Sequence, residues 1–155
     1  MVNQVEAKLI KPLYDQLQSE RFSTLATIDF ETGGPNVSAI SWVLAANQDA
    51  ILFAVDNRSR IIQNINQNGK VVLNIIANES TYSIAGEASV IQEKLADVPL
   101  KLALVEIKIN EVRDVMFYGS KISVEPQYDK TYDKVAAAKL DNQVMDAMRN
   151  AASTL

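Results

Sequence analysis

Between Phe22 and Asn110, short apolar runs rich in β-branched residues alternate with polar turns, and only one stretch of that span has helical spacing. Phe22 to Asp29 predicts a strand, Glu31-Thr32-Gly33-Gly34-Pro35-Asn36 a loop that uses glycine for unusual dihedrals, and Val37 to Ala46 a second strand. The polar turn Asn47-Gln48-Asp49 sends Ile51 to Val55 back against that strand as a hairpin. Val71 to Ala77 and Tyr82 to Ile91 predict two further strands, and Val105, Ile107 and Ile109 alternate with Glu106, Lys108 and Asn110. Strands this short and this frequent leave many edges to protect, and closing the sheet on itself removes them. The expectation is a mainly β fold built as a small antiparallel barrel.

Three segments have helical spacing. Val5, Leu9, Leu13 and Leu17 recur every four residues, which predicts an amphipathic helix over about 3–20 with Asn3 as its cap. Pro12 allows a second version, a short arm followed by a helix that starts near the proline. Ser59 to Asn68 places Ile61, Ile62 and Ile65 on one face and ends at Asn68-Gly69. A loop around Glu125-Pro126-Gln127 leads into Thr131 to Ala152, where Val135, Ala138, Met145 and Met148 predict a C-terminal helix at about 131–152. With no internal repeat or composition break, residues 1–155 read as one domain whose barrel spans about 22–118.

Composition narrows the chemistry. The chain has no cysteine and no histidine, which excludes disulfides, thiol nucleophiles, Ser-His-Asp triads, imidazole-ligated zinc and a haem on a proximal histidine. Acid–base work falls to Asp, Glu, Lys, Tyr, water or a cofactor with its own reactivity. A net charge of −4 opposes sequence-independent nucleic-acid binding. No window approaches the run of about eighteen apolar residues needed to span a membrane, and the expected location is cytoplasmic. Glu106, Glu111 and Asp114 are read as surface charge, with no metal site.

The hairpin feeds Asp56-Asn57-Arg58-Ser59-Arg60 directly into the short helix. A hydroxyl, guanidinium groups and the free amides of a helix N-terminus suit a phosphate. The same residues have a plainer role, in which Asn57 or Ser59 caps the helix and the arginines stay in water. Likewise Trp42, among Val43, Leu44 and Ala45, suits core or interface packing, and Tyr82 and Tyr118 suit hydrogen bonding at a barrel rim.

The order of these segments carries more than any one of them. Phe22-Ser23-Thr24-Leu25-Ala26-Thr27, Val37-Ser38-Ala39-Ile40-Ser41-Trp42, Phe53-Ala54-Val55, Ser59-Arg60 and Gly86-Glu87-Ala88 occur in sequence and with matching spacing. Over Phe22 to Ile91 the chain resembles the pyridoxamine 5′-phosphate oxidase-like FMN-binding split-barrel family. That resemblance implies a six- to seven-stranded antiparallel split β-barrel with peripheral helices, and an FMN phosphate at Ser59 and Arg60. It also implies an isoalloxazine lying along Ile40, Ser41, Trp42 and Val55, with Asp56, Asn57 and Arg58 beside it. The family's Ser-Arg-Lys triplet is interrupted by Ile61, and Arg58 is the nearest substitute for the missing charge. Thr81 and Tyr82 are implied to reach the cofactor held by the other subunit of a homodimer. The expected activity is that of an oxidoreductase with non-covalent FMN, a nicotinamide or other small donor and a small acceptor, with no catalytic side chain assigned. A non-catalytic flavin carrier or stress-related module, a deazaflavin-binding reductase and a cofactor-free scaffold are the alternatives. Pyridoxamine phosphate oxidation itself is not expected, because the tail from Lys121 to Leu155 lacks the arginine- and histidine-bearing substrate motif of the authentic enzymes.

Overall fold

The computed structural model describes residues 5–155. At its N-terminal end the apolar four-residue spacing is divided into an extended arm, Val5–Glu6 (β1), and a six-residue helix, Lys11–Gln16 (α1). Pro12 sits in the first turn of α1, where a missing N–H costs nothing. The long helix over about 3–20 is therefore corrected to the arm-and-helix version, and the Asn3 cap lies outside the described residues. Leu9, Leu13 and Leu17 are nonetheless all buried, so the periodicity does report a core-facing stripe.

Seven further strands follow: Ser23–Ile28 (β2), Pro35–Ile40 (β3), Val43–Ala45 (β4), Ala50–Asp56 (β5), Lys70–Ala77 (β6), Ser80–Gln92 (β7) and Leu102–Asp114 (β8). They form one sheet in the order β3-β2-β6-β7-β8-β5-β4, with β1 added against β8, and every pairing is antiparallel. The helices Arg60–Gln67 (α2) and Lys134–Ala152 (α3) complete the chain.

The single strand expected over Val37 to Ala46 is corrected to two, β3 and β4, broken at Ser41-Trp42. There the Ser41 carbonyl accepts from the backbone N–H of Arg21 and of Val43, and the Trp42 carbonyl accepts from Ala54 N–H. The chain thus leaves the ladder of β2 and enters that of β5. Because β3 and β4 are the two ends of the sheet path and adjacent in sequence, the barrel closes through a covalent turn instead of a ladder. This is a split barrel.

β7 and β8 are longer than their alternation predicts, at 13 residues each, because two bulges bend them around the barrel. One falls between Ala85 and Gly86 and the other between Val90 and Gln92. At Gly86 a Cβ would stand 2.3 Å from the Lys108 carbonyl oxygen, so this close approach of two backbones requires glycine.

Two apolar clusters share the sheet. Inside the barrel, Leu25, Phe53, Leu73, Ile84, Val105 and Ile107 pack with the leucines of the α1 segment. On the opposite face of β4, β5 and β8, Leu44, Leu52 and Leu104 pack against Val144, Met145 and Met148 of α3. The C-terminal helix starts at Asp133, whose carboxylate accepts from Ala136 N–H. The outer face of β2, β6 and β7 has no such cover: Ala26, Ile28, Pro35, Val72 and Ala85 line a groove of about 420 Å³ rimmed by Lys70 and Glu87. Among the described residues no helix is long and apolar enough to cross a membrane.

Candidate cofactor site at the head of the second helix

A tight turn carries β5 into α2. Asp56 Oδ1 accepts from Arg58 N–H at 2.8 Å and the Asp56 carbonyl accepts from Ser59 N–H at 3.0 Å. Ser59 is the N-cap residue by position, in extended conformation at φ −68° and ψ 157°, yet its hydroxyl makes no capping bond. Ser59 Oγ is instead buried without a hydrogen-bond partner. A buried hydroxyl left unpaired costs about 1–3 kcal/mol, and at a helix N-terminus the partner favoured by the local dipole is an anion.

Arg60, the next residue, opens α2. Its Nε donates to Asp29 Oδ1 at 2.7 Å, its Nη2 donates to Glu31 Oε1 at 3.0 Å, and the guanidinium lies 4.8 Å from the centre of the Phe30 ring. Asp29 is buried while Glu31 is exposed. The Arg60 hydrogen bond, reinforced by the backbone N–H groups of Thr32 and Glu31, holds the Asp29 carboxyl well below the usual carboxylate range. A carboxylate lowered in this way supports the fold fully above its ordinary range, and the support is lost as the pH falls below it. Reciprocally, the hydrogen bond to Asp29 raises the pKa of Arg60.

The loop bearing Asp29 and Glu31 is tied to α2 by Asn64, which is buried on the inward face of the helix. Asn64 Oδ1 accepts from Phe30 N–H at 2.8 Å, and its Nδ2 donates to Thr27 Oγ1 and Asn36 Oδ1, each at 2.9 Å. Arg58 points into solvent, with Asp56 at 3.7 Å as its ion-pair partner. Asn57 is held by backbone, donating from Nδ2 to the Glu93 carbonyl and from its N–H to the Lys101 carbonyl.

A sequence profile of the pyridoxamine 5′-phosphate oxidase family matches residues 10–116. The chain belongs to this family. No curated protein matches it at a significant level. Among solved structures it is similar to a Lactobacillus delbrueckii protein provisionally named pyridoxamine 5′-phosphate oxidase, with a TM-score of 0.61 and 19% identity over 72% of this chain and 98% of that one. An F420 reductase matches with a TM-score of 0.54 and 15% identity over 66% of this chain and 96% of that one. A haem-binding protein from Mycobacterium smegmatis matches with a TM-score of 0.53 and 18% identity, over 76% of this chain and 60% of that one. At these identities the three share the fold.

The other residues that the family pattern singles out divide into groups. Val55 and Ile40 pack against the barrel core, and Trp42 packs against the α3 cluster. Trp42 Nε1 donates to Asp141 Oδ1 at 2.9 Å, while Ser41 Oγ donates to Glu20 Oε2 at 2.9 Å. Lys130 joins these two carboxylates, at 2.8 Å from each. Burial works against its charge, but the bonds to Asp141 and Glu20 outweigh that and raise its pKa. Ser41 and Trp42 therefore sit in a polar clasp that ties the C-terminal segment across the break between β3 and β4. Lys130→Met, which takes from Glu20 and Asp141 the cation they share, is expected to cost about 2 kcal/mol in a thermal melt.

Thr81 and Tyr82 lie elsewhere. Tyr82 is buried, and its hydroxyl accepts from Asn78 Nδ2; Thr81 Oγ1 accepts from Asn74 Nδ2 at 2.8 Å. Their ladder leads through Ile75 to Ser23, whereas Arg60 meets the other end of β2 at Asp29, a separation of about 20 Å at strand rise. Within one chain they do not meet the head of α2.

Sequence reasoning missed Asp29, Glu31 and Asn64. One signal was available: an asparagine beside Ile61, Ile62 and Ile65 on an apolar helical face asks what satisfies it. Asp114, read as surface charge, is corrected to a buried carboxylate that accepts from Ser80 Oγ at 2.6 Å and from Met116 N–H at 3.1 Å.

Proposed function

We propose that this chain binds FMN without a covalent bond, as a homodimer, and serves as an oxidoreductase acting on a small molecule. The observation that carries this reading is the buried, unpartnered Ser59 Oγ at the head of α2, where Arg60 is the next residue. A phosphate ester would supply the missing acceptor there and engage Arg60 through charge-assisted bonds. The bound flavin would supply hydride and electron transfer, chemistry that resides in the cofactor and needs neither cysteine nor histidine. Ser59, Arg60 and the first N–H groups of α2 would anchor the phosphate.

The homodimer rests on two features. Among the described residues, the apolar groove on the outer face of β2, β6 and β7 has no helix over it in the single chain, and a second copy would bury it. Thr81 and Tyr82, remote from Arg60 within the chain, would then serve the partner's site. A deazaflavin is the second reading, favoured by the likeness to an F420 reductase. The haem-binding neighbour offers no histidine-ligated haem as a reading here, because the chain has no histidine.

Purified protein is expected to carry or take up FMN, to release it intact on acid precipitation, and to bind riboflavin at least about tenfold more weakly for want of the phosphate contacts. Equal affinity for the two flavins would remove Ser59 and Arg60 from the site. Bleaching of the bound flavin by a reduced nicotinamide under anaerobic conditions would support the oxidoreductase reading. Failure with every small donor tried would favour a carrier.

A further inference from the structure

The arginine offered to the phosphate is already occupied. Nε of Arg60 is held by Asp29 and Nη2 by Glu31, so the edge of the guanidinium best shaped for a bidentate grip faces two carboxylates. Arg60, Asp29 and Glu31 together carry a net negative charge, an unfavourable setting for a dianionic phosphate monoester.

The two carboxylates are not equivalent. Asp29 is built into its turn: its side chain is 4% exposed, and Oδ2 accepts from both Glu31 N–H and Thr32 N–H. Glu31 has a side chain 63% exposed, and it can swing into water at little cost while Asp29 stays. The Phe30 ring at 4.8 Å and the bond to Asp29 keep the guanidinium in place when Glu31 leaves.

We infer that Glu31 is a built-in competitor for the phosphate: its carboxylate holds the Arg60 Nη2 that a phosphate oxygen would take, so binding is an exchange of Glu31 for phosphate. Asp29 is the positioning residue that keeps Arg60 at the head of α2 throughout. The consequence is selectivity by ligand charge, since only a group more strongly attracted to Arg60 than one carboxylate displaces Glu31. The inference rests on the reading that the flavin phosphate binds at Ser59 and Arg60.

The test uses the full chain and flavin-fluorescence titrations with FMN and riboflavin, on the wild type, Glu31→Gln, Arg60→Ala and the double variant. Glu31→Gln is expected to tighten FMN about five- to tenfold, to leave riboflavin unchanged, and to have no effect on FMN in the Arg60→Ala background. If Arg60→Ala weakens FMN but Glu31→Gln leaves it unchanged or weakens it, the competitor role is wrong while the phosphate assignment stands. If Arg60→Ala leaves FMN affinity unchanged, the phosphate assignment falls and the inference falls with it. Tightening of riboflavin to the same degree by Glu31→Gln also overturns the inference, because it would place the effect on the ring instead of the phosphate.

Discussion

Gly86→Ala is expected to lower the stability of this protein by about 3 kcal/mol or more, seen as a drop of about 6–12 °C in melting temperature by circular dichroism. The added methyl would stand 2.3 Å from the Lys108 carbonyl oxygen and 2.7 Å from Ile107 Cγ2. The Ile107 side chain can shift, but the carbonyl belongs to the ladder of β8 and cannot move without opening it. The clash also falls on the bulge where Ala85 faces Glu111 and Gly86 faces Ile109, leaving Asn110 as the extra residue. A bulge adds local twist, and here it helps curl β7 and β8 into a barrel. Gly33 provides the contrast. It has a positive φ of 75° with nothing within 4 Å of its would-be Cβ, so Gly33→Ala meets only the left-handed backbone penalty of about 1 kcal/mol. Equal losses at the two positions would show that close backbone approach is not what Gly86 provides.

How far the fold could be read in advance follows from which forces are local. Strands β2 and β6 are announced by alternation or by a β-branched run, because each faces the barrel core at every second residue, and β5 by a continuous apolar run that is buried on both faces. The break at Ser41-Trp42 is different. Val37 to Ala46 is an uninterrupted strand-like run, and what divides it is the transfer of hydrogen bonding from β2 to β5, settled by residues distant in the chain. The same holds for β7 and β8, whose length depends on bulges that only the paired strands reveal. At the N-terminus the spacing of Leu9, Leu13 and Leu17 found the buried stripe, while Pro12 decided how little of it is helical.

The candidate site was legible to a similar degree. Ser59 and Arg60 stand out locally, since a hydroxyl and a guanidinium at a helix head form a recognisable chemical pattern. Their surroundings do not. Asp29 meets Arg60 across 31 residues of sequence, and a single aspartate at a strand end reads most simply as a turn residue, which it also is. Trp42 shows the converse, an aromatic suited to stacking on a cofactor that packs on α3 and donates to Asp141. Lys130, which secures that region, lies 110 residues from Glu20 in the chain.

Asn64→Leu is expected to destabilise the protein by about 2–4 kcal/mol, although leucine has nearly the same size and suits an inward-facing helical position. The cost comes from the partners. Phe30 N–H, Thr27 Oγ1 and Asn36 Oδ1 each lose a bond to Asn64, and Thr27 is itself buried, so water cannot readily replace what is lost. Thr27 and Asn36 flank the loop 29–34 and Phe30 lies within it, which makes Asn64 the tie between α2 and the segment that carries Asp29 and Glu31. Loosening it should let Asp29 drift from Arg60, so the loss of stability should come with weaker FMN binding, measured on the fraction still folded at low temperature. Gln63→Leu, one residue earlier on the exposed face of the same helix, should stay within about 0.5 kcal/mol of the wild type. If Asn64→Leu melts normally, the three hydrogen bonds do not hold the loop. If it melts early but binds FMN with unchanged affinity, the tie serves the fold alone and Arg60 is positioned by Asp29 without help from the helix.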